Sequence, residues 1–513
     1  MKRSASVMHL LLLLGMALLL PCFLFTAGNV LLSPWPLYHR SRLALLILTP
    51  VCLAVQLFAL PRLALGLVPL LRRRERLLLL GFAGAFFLLQ TGLSMTLRHI
   101  PITDAEQCFS AASLLCDTGA FETSERAFIY FSRYPFNLGF VYLLSLLFRF
   151  FSRFGWEDRF AQAVLFSGLL FACGFLCTAK LVRRLGGTEA EARALLLFPL
   201  CLPFLTCTAE IYTDVFALSF PPMILLAFQN ALDAKSRRSR LLHAAAFALL
   251  SFAGIQLRAT AAIALIACLL RALFERRFRV LLALCLCVLA VFLPGSAWIK
   301  QKNARHLGAE NLAAHRLSVW HYLAMGLPIH EDEGYGQYGQ GGWLIFSTSF
   351  EDPAERDAAL KTEIRDRVYY LRYPSRMLNM LSRKNLSSFG DGTFRLNEII
   401  EGDEHEPDNA VKQVVYARGA LHGAYQHLCT AWQLALLLLC CLSCIQALSR
   451  RDTSSSALFI TLLGAFLYLY MWETKARYFF MFQMVLLAAC ALCTPAAMQN
   501  RGAAPAPKAD TAP

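Results

Sequence analysis

Charged residues are scarce in this sequence, making up 16% of its 513 residues against 57% for hydrophobic residues. The apolar residues form uninterrupted runs, which excludes a soluble multidomain protein. The net charge is +15, yet the basic residues lie in short clusters between the apolar runs. This excludes a nucleic-acid-binding face and matches the positive-inside pattern of a polytopic membrane protein. The clusters are at 72–76, 180–184, 235–240, 271–279 and 450–451.

Two kinds of cysteine site are also missing. The 17 cysteines form no paired CxxC pattern of the kind that binds zinc. Cys108 and Cys116 are the clear external pair, but on one helix they lie about 12 Å apart along the axis, too far for a disulfide. The chain also lacks a small-residue cleavage site after its first apolar run, so we expect that run to be retained.

The apolar runs long enough to cross about 30 Å of hydrocarbon predict an all-α polytopic membrane protein, with a bundle of about 12 transmembrane helices. The predicted spans are 7–27, 43–61, 77–95, 159–179, 190–208, 213–230, 241–257, 260–275, 280–298, 429–448, 456–471 and 478–494. The predicted divisions are an N-terminal two-helix membrane hairpin at 1–76, a membrane core at 77–298, an external loop or small domain at 299–428, C-terminal transmembrane helices at 429–494 and a disordered cytoplasmic tail at 495–513.

Charge decides the place of the short apolar run 138–151. If this run crossed the bilayer, the basic cluster 180–184 would lie outside and the positive-inside rule would fail repeatedly. We therefore predict that 96–158 is one external loop with two juxtamembrane helices. The run 241–275 has Arg240 and Arg271 at its ends and is predicted to form a hairpin with Arg258 at its outer apex.

The ionisable residues beside the predicted external ends of the spans form the candidate site. Ionisable groups at membrane depth are costly, so their grouping at one face indicates function. We assign catalytic roles to Asp104 and Asp214. The predicted substrate-binding residues are Glu106, Arg133, Tyr134, Arg258, Glu473, Lys475, Arg477 and Tyr478.

Several of these residues also have a simpler structural explanation. Thr103 and Glu106 match a T-x-x-E capping box, which would tie Glu106 to its own helix. Asp104 and Asp214 are each expected near a helix N-terminus, where the helix dipole favours an anion. Arg477 can serve as an anchor at the lipid headgroups. If 473–477 is helical, Glu473 at i to i+4 would orient the Arg477 guanidinium.

The order of the motifs resembles that of a known superfamily. It is similar to the GT-C fold glycosyltransferases of the protein O-mannosyltransferase and aminoarabinose transferase superfamily, with glycosyltransferase 39-like features, over roughly residues 77–494. The residues that carry the resemblance are Asp104, Tyr130–Gly139, Tyr212–Asp214 and Glu473–Tyr478; Ala324–Leu327 and Lys384–Gly392 are similar to the branch found in Gram-positive bacteria.

The resemblance implies a cell-membrane glycosyltransferase with its active site on the extracytoplasmic face. It implies that a sugar carried on a polyprenyl phosphate is moved to an extracytoplasmic acceptor, which is a protein, a glycan or a lipid. It assigns Asp104 as the catalytic aspartate, Asp214 as the second acidic position and Arg477 as a ligand of the lipid phosphate. The chain departs from the family where Ala105 separates the usual Asp-Glu pair, which puts the role of Glu106 in doubt.

This chemistry needs a general base and cations near the departing phosphate. Asp104 can act as the base of an inverting single displacement, and Arg477, Lys475 and Arg258 can hold the phosphate. A Mg or Mn ion between Asp104 and Asp214 would suit hard oxygen ligands, although two carboxylates alone do not define a metal site.

Two other functions stay open from the sequence. A multi-pass transporter would also have about 12 spans, but its charges should lie near the bilayer midplane and its halves should repeat. A cell-surface polysaccharide polymerase or ligase would share the sidedness and the lipid carrier. A membrane scaffold without chemistry would not need the clustered carboxylates.

Overall fold

The fold is all-helical throughout the part of the chain that the structure, a computed structural model, describes. That part comprises residues 2–33, 41–121, 124–330, 333–339, 341–401 and 407–494, and it contains no β-strand. The expected all-α polytopic membrane architecture is therefore confirmed. The tail predicted to be disordered at 495–513 lies outside the described residues.

The helices follow one another with short connections. The α-helices are Lys2–Ala17, Leu19–Leu32, Arg42–Ala54, Leu60–Met95, Thr103–Thr118, Glu125–Arg133, Leu138–Ser152, Arg159–Leu197, Thr213–Ala217, Phe220–Asp233, Arg237–Leu257, Ala262–Phe274, Phe278–Leu307, Ala309–His315, Val319–Met325, Trp343–Thr348, Pro353–Leu371, Pro374–Phe389, Asn397–Ile400, Ala410–Val415, His422–Ser449, Ser456–Met471, Ala476–Phe480 and Gln483–Ala491. A short π-helical segment lies at Val55–Ala59, and 3₁₀ turns lie at Pro135–Asn137, Leu202–Leu205, Cys207–Ala209 and Ala259–Ala261.

Among the described residues, eight helical segments are long and apolar enough to cross a membrane, and two shorter apolar helices accompany them. The predicted count of about 12 is therefore not confirmed. Some predicted spans are joined in one segment, because the helices continue through polar residues. Arg42–Met95 includes the basic cluster and departs from helical geometry at Arg74. Arg159–Leu197 departs at Gly187, whose φ is 75°.

Close contacts between helices build the core around the candidate site. Gly139 is the second residue of the Leu138–Ser152 helix, and a Cβ atom there would lie 2.4 Å from the carbonyl oxygen of Gln256. Only glycine permits this approach, so the helix packs directly on the end of the Arg237–Leu257 helix. That helix ends at Leu257, and the next begins at Ala262, so the chain turns at Arg258 as the predicted hairpin requires.

The Leu138–Ser152 helix lies along the Thr103–Thr118 helix. The guanidinium of Arg149 donates a hydrogen bond to the carbonyl oxygen of Leu115 on that neighbour. Just before its N-terminal end, the Asn137 side chain donates a hydrogen bond to the hydroxyl of Tyr130 at 2.6 Å. At its last residue, Ser152 lines a cavity together with Glu106. Both ends of this helix thus meet residues of the segment 96–158, although its length and composition also place it among the eight candidate spans.

The predicted capping box at the start of the Thr103–Thr118 helix is wrong. Thr103 is the first helical residue, with a φ of 54°, and Ile102 precedes it in extended geometry. No side chain caps the helix. A capping box needs the threonine at the N-cap position, but here Ile102 occupies that position and Thr103 is already helical. The reciprocal bonds of a capping box therefore do not form, and Glu106 is not held by them. The positive φ of Thr103 is a strained conformation directly before Asp104.

Part of the segment 299–428 has a small apolar core of its own, while Phe389, Phe394 and Tyr416 of the same segment belong to the core of the membrane helices. Ala324, Met325, Trp343 and Leu360 form a buried cluster separate from that of the membrane helices. Beside it, the carboxylate of Glu333 accepts a hydrogen bond from Arg367 at 2.9 Å and from the backbone amide of His330 at 2.9 Å. These bonds fix the start of a glycine-rich loop, whose described residues are 333–339 and 341–342.

Candidate active site

A buried carboxylate lies at the centre of the candidate site. Asp214, in the first turn of the Thr213–Ala217 helix, has 0% of its side chain exposed. Its Oδ1 lies 3.1 Å from the Arg258 guanidinium, and its Oδ2 lies 3.4 Å from that of Arg477. Both contacts are ion pairs without hydrogen-bond geometry. The turn at Arg258 and the segment after Met471 therefore meet at one aspartate.

Aromatic rings hold the two guanidinium groups in place. Arg258 lies over the ring of Tyr478 at 4.5 Å and donates to the Thr213 hydroxyl at 3.2 Å. Arg477 lies over the ring of Tyr212 at 5.2 Å. Burial alone would lower the pKa of Arg258 and of Arg477, but the charge of Asp214 and neighbouring tyrosines raise both above the usual value. Both arginines are therefore permanently charged.

Tyr212 connects this group to Asp104. Its phenol hydroxyl donates to Oδ2 of Asp104 at 3.4 Å, while its ring faces Arg477. Burial, together with the charge of Asp104, raises the pKa of Tyr212 well above its usual value. The hydroxyl therefore keeps its proton and acts as a donor. The start of the Thr103–Thr118 helix and the Tyr212–Asp214 motif thus converge, as the sequence predicts.

Asp104 lines a wide cavity of about 550 Å³, which we call the Asp104 cavity. Arg133 and Tyr134 line the same cavity, so the structure brings these three predicted site residues together. The hydroxyls of Tyr134 and Tyr338 are 2.8 Å apart at its wall. Tyr338 belongs to the glycine-rich loop. The remaining residues of the wall are Thr103, Gln107, Glu125, Arg126, Ile129, Tyr130 and Leu344.

A smaller cavity of about 150 Å³, which we call the cation chamber, lies next to the Asp104 cavity. Lys475, Arg477 and Arg395 line it with one carboxylate, Glu398. Tyr338 lines both cavities and so marks the boundary between them. Positive side chains therefore outnumber negative ones at the wall of the chamber.

Charge and burial act strongly on Lys475. Burial lowers its pKa, and the charges of Arg477 and Arg395 lower it further, whereas Glu473 and Asp104 oppose the shift. Arg395 has a φ of 53°, a strained conformation for a side-chain-bearing residue, and its guanidinium pairs with Glu398. The chamber thus concentrates cations that an anion would stabilise.

The predicted pairing of Glu473 with Arg477 is wrong. Residues 472–475, which we call the site loop, are not helical, so the i to i+4 geometry is absent. Glu473 instead accepts a hydrogen bond of 2.7 Å from the hydroxyl of Tyr478. Burial raises the pKa of Glu473, and Lys475 is the strongest opposing charge. Glu473 therefore orients Tyr478, and Arg477 is oriented by Asp214.

Glu106 is separated from the other predicted residues. It lines a different cavity, of about 1160 Å³, with Ser110, Ser113 and Asp117 on the same helix. Asp104 and Gln107 face the Asp104 cavity from the other side of that helix. Because Ala105 stands between the two acids, they point to different faces of the helix. The assignment of Glu106 to the substrate site is therefore not supported by its position.

The residues present do not fit a divalent metal between Asp104 and Asp214. Each oxygen of Asp214 already contacts a guanidinium group. Within the described ranges, no group of three or more His, Cys, Asp or Glu residues is placed to hold a metal ion. Two arginines occupy the surroundings of the carboxylate that a metal ion would need.

Two residues of the site were missed as candidates in the sequence. Tyr338 lies in a glycine-rich stretch that gives no local signal of chemistry, and Arg395 follows a Gly-Asp-Gly turn far along the chain. Glu210 stands four residues before Asp214, and the sequence already groups it with Tyr212 and Asp214 in the link between two predicted spans. It is 0% exposed, and neither carboxylate oxygen has a hydrogen-bond partner among the described residues. Burial and the charge of Asp214 raise its pKa to about 8.

Comparison with known proteins gives one family and distant structural likenesses. The model of a family described as conserved hypothetical integral membrane protein matches residues 40–498. No curated protein gives a significant match. ArnT from Cupriavidus metallidurans, bound to undecaprenyl phosphate, is similar with 14% identity and a TM-score of 0.35, over 81% of this chain and 77% of that one. AglB from Archaeoglobus fulgidus, in complex with an inhibitory peptide and a dolichol-phosphate, is similar with 14% identity and a TM-score of 0.40, over 80% of this chain and 50% of that one. Neither likeness assigns an activity to this chain.

Proposed function

The chain belongs to the family of conserved hypothetical integral membrane proteins, and on that premise we propose that it is a membrane glycosyltransferase. Its donor is a sugar linked to a polyprenyl phosphate, and its acceptor carries a hydroxyl group outside the cytoplasm. The proposal extends to a GT-C-like arrangement of the membrane helices. It rests on the residues around Asp104 and Asp214.

One observation carries the proposal: a carboxylate and a cluster of cations lie on either side of Tyr338. Asp104 faces the wide cavity, whereas Lys475 and Arg477 face the small one. A glycosyl phosphate needs its acceptor beside a base and its phosphate beside cations, with the anomeric carbon between them. The two adjoining cavities supply these two environments in the required order.

Asp104 is assigned as the general base. It accepts the proton of the acceptor hydroxyl while the acceptor oxygen bonds to the anomeric carbon. The bond between that carbon and the phosphate oxygen breaks, and its electron pair leaves with the polyprenyl phosphate. A single displacement of this kind inverts the anomeric centre. The hydrogen bond from Tyr212 to Asp104 orients the carboxylate and leaves its other oxygen for the acceptor.

Asp214 has a different role from that of Asp104. It is fully buried and contacts two guanidinium groups, so it is not available to remove a proton from an acceptor. We assign Asp214 the role of holding Arg477 at the edge of the cation chamber. Arg258 does not line the chamber, and its guanidinium is engaged by Asp214 and Thr213. We therefore assign the donor phosphate to Lys475, Arg477 and Arg395, and give Arg258 a supporting role.

The phosphate should be held near the outer surface of the bilayer. The site loop follows the apolar helix Ser456–Met471, and Arg258 lies between two apolar helices. With the basic clusters on the cytoplasmic side, these turns lie at the extracytoplasmic ends. A lipid anchored in the outer leaflet would present its phosphate at that depth.

The direct test is release of the lipid product. Purified protein in detergent is offered polyprenyl-phosphate-linked sugars and a set of hydroxyl acceptors, and free polyprenyl phosphate is measured. We expect release that depends on both donor and acceptor and that is lost in Asp104→Asn. Transport of the intact donor across vesicles without release would contradict the proposal and favour a transporter.

A further inference from the structure

A single buried lysine joins the helix ends on which the site loop depends. Lys384, on the Pro374–Phe389 helix, is 1% exposed. Its ammonium donates hydrogen bonds to the carbonyl oxygens of Gly326, of Tyr470 at 2.9 Å and of Trp472 at 2.7 Å. All three acceptors are backbone groups from segments distant in sequence. Lys384 therefore connects three parts of the chain at one atom.

The carbonyls that Lys384 binds lie at the C-terminal ends of two helices. The Val319–Met325 helix is capped at Gly326, and the Ser456–Met471 helix is capped at Trp472. The last carbonyls of a helix lack partners within it and carry partial negative charge. One ammonium with three N–H groups satisfies three such carbonyls. A Cβ atom on Gly326 would lie 2.4 Å from the carbonyl oxygen of Met471, so only glycine lets the two ends meet.

The same contacts continue into the candidate site. The site loop begins at Trp472, which Lys384 binds directly. Within that loop, the Thr474 amide donates to the carbonyl oxygen of Gly336 at 3.0 Å. The Thr474 hydroxyl donates to the backbone carbonyl oxygen of Tyr335 at 2.7 Å. In turn, Gln337 donates to the hydroxyl of Ser387, on the helix of Lys384, at 2.7 Å. The loop with the cations and the loop with Tyr338 are thus fixed to one helix.

We infer that Lys384 is a positioning residue for the candidate site: its ammonium fixes the start of the site loop, and thereby places Lys475 and Arg477 in the cation chamber. Lys384 itself lines neither cavity. The inference rests on the proposed function only in the step that assigns a phosphate to the chamber. The placement of the loop is independent of that step.

The charge of Lys384 matters for these contacts. Burial lowers its pKa to about 7, and the charge of Glu473 opposes the shift. An uncharged amine has two hydrogens for three carbonyls, so the full set of bonds needs the ammonium form. Methionine has a similar length and no donor, which makes Lys384→Met the informative substitution.

The test compares Lys384→Met with Lys412→Met. Lys412 is a second buried lysine of the segment 299–428; it pairs with Asp408 at 3.2 Å and lines neither the Asp104 cavity nor the cation chamber. Backbone hydrogen exchange of residues 472–478 is measured in detergent, together with the affinity for undecaprenyl phosphate. We expect Lys384→Met to speed exchange there roughly tenfold or more, from the loss of hydrogen bonds to a charged group, and to weaken phosphate binding. Lys412→Met should change neither.

Lys384→Gln keeps two N–H donors, and it is measured in the same way if the methionine variant does not fold. Unchanged exchange at 472–478 in the folded variant would overturn the inference whatever the activity. Faster exchange with unchanged affinity would also overturn it, because the loop would then not control the phosphate site. Faster exchange in a protein whose wild type binds no undecaprenyl phosphate would support the placement of the loop and overturn the proposed function instead.

Discussion

The hydroxyl of Tyr212 lies 3.4 Å from Oδ2 of Asp104 and donates a hydrogen bond to it. The same tyrosine presents its ring to Arg477, which pairs with Asp214. The proposed base and the proposed phosphate ligand are 373 positions apart in the sequence, and Tyr212 contacts both of them. Asp214 is thus linked to Asp104 through Arg477 and Tyr212 in turn.

Asp104→Asn should lower turnover about a hundredfold or more, the range for a lost general base. The amide cannot accept the acceptor proton, but it has nearly the shape of the carboxylate, so donor binding should persist. Turnover and donor affinity are measured on the same preparation. Glu106→Gln provides the matched control, because Glu106 faces the other side of the helix, and it should retain most activity. Equal losses at both positions would show that the roles are assigned wrongly.

Arg477→Lys should weaken donor binding by about 1 to 3 kcal/mol, the usual contribution of hydrogen bonds to a charged group. Lysine keeps the positive charge but loses the planar fork that can contact Asp214 and a phosphate together. Titration with undecaprenyl phosphate measures the change, and Arg477→Ala should bind still more weakly. Full affinity in the lysine variant would mean that Arg477 is an anchor at the headgroups and not a phosphate ligand.

Glu210 should make stability depend on pH. Its folded pKa is raised to about 8, against about 4.3 for an unperturbed glutamate. Between these values the folded chain binds more protons than the unfolded chain, so the stability from this group is complete below about pH 4.3 and decreases until the pH passes about 8. Between pH 5 and 8, the Tm of the wild type should therefore fall more than that of Glu210→Gln. Parallel Tm curves for the two proteins would contradict the prediction.

A cysteine introduced at Ser152 should react with an impermeant thiol reagent added from outside the cell. Ser152 is exposed and lines the cavity that contains Glu106, at the end of a helix that packs along the Thr103–Thr118 helix. With 96–158 wholly external, as the positive-inside rule predicts, the new thiol is on the outer side. Reaction only from the cytoplasmic side would show that the Pro135–Ser152 segment crosses the membrane.

The membrane architecture could be predicted from the sequence because apolar runs and basic clusters are local signals. The number of helices was harder to predict, since composition does not show whether a helix continues through a polar stretch. The Leu60–Met95 helix runs on beyond the basic cluster despite its break at Arg74. Local rules also failed at Thr103, where the backbone takes a positive φ that a capping pattern does not reveal.

The site could be predicted in part. The ion pairs of Asp214 bring together the three motifs after the first loop, whose shared sidedness indicated a common site. Tyr338 and Arg395 could not be found in this way, because their place depends on how the segment 299–428 folds back on the membrane helices. Glu106 was included because it lies only two residues after Asp104 in the sequence, whereas helix geometry places the two side chains on different faces.

The separate apolar cluster of Ala324, Met325, Trp343 and Leu360 is small beside the main core, which extends into the same segment, 299–428, at Phe389 and Phe394. Local opening free energies follow such differences, so this cluster should open before the main core loosens. The glycine-rich loop ends beside the cluster at Trp343, whereas Gln337 within the loop is bonded to the helix of Lys384. An opening confined to the cluster would therefore release the Trp343 end of the loop while its other contacts persist. Leu344, which lines the Asp104 cavity, would move with that end, so the mouth of this cavity should widen for an acceptor while the cation chamber keeps its shape.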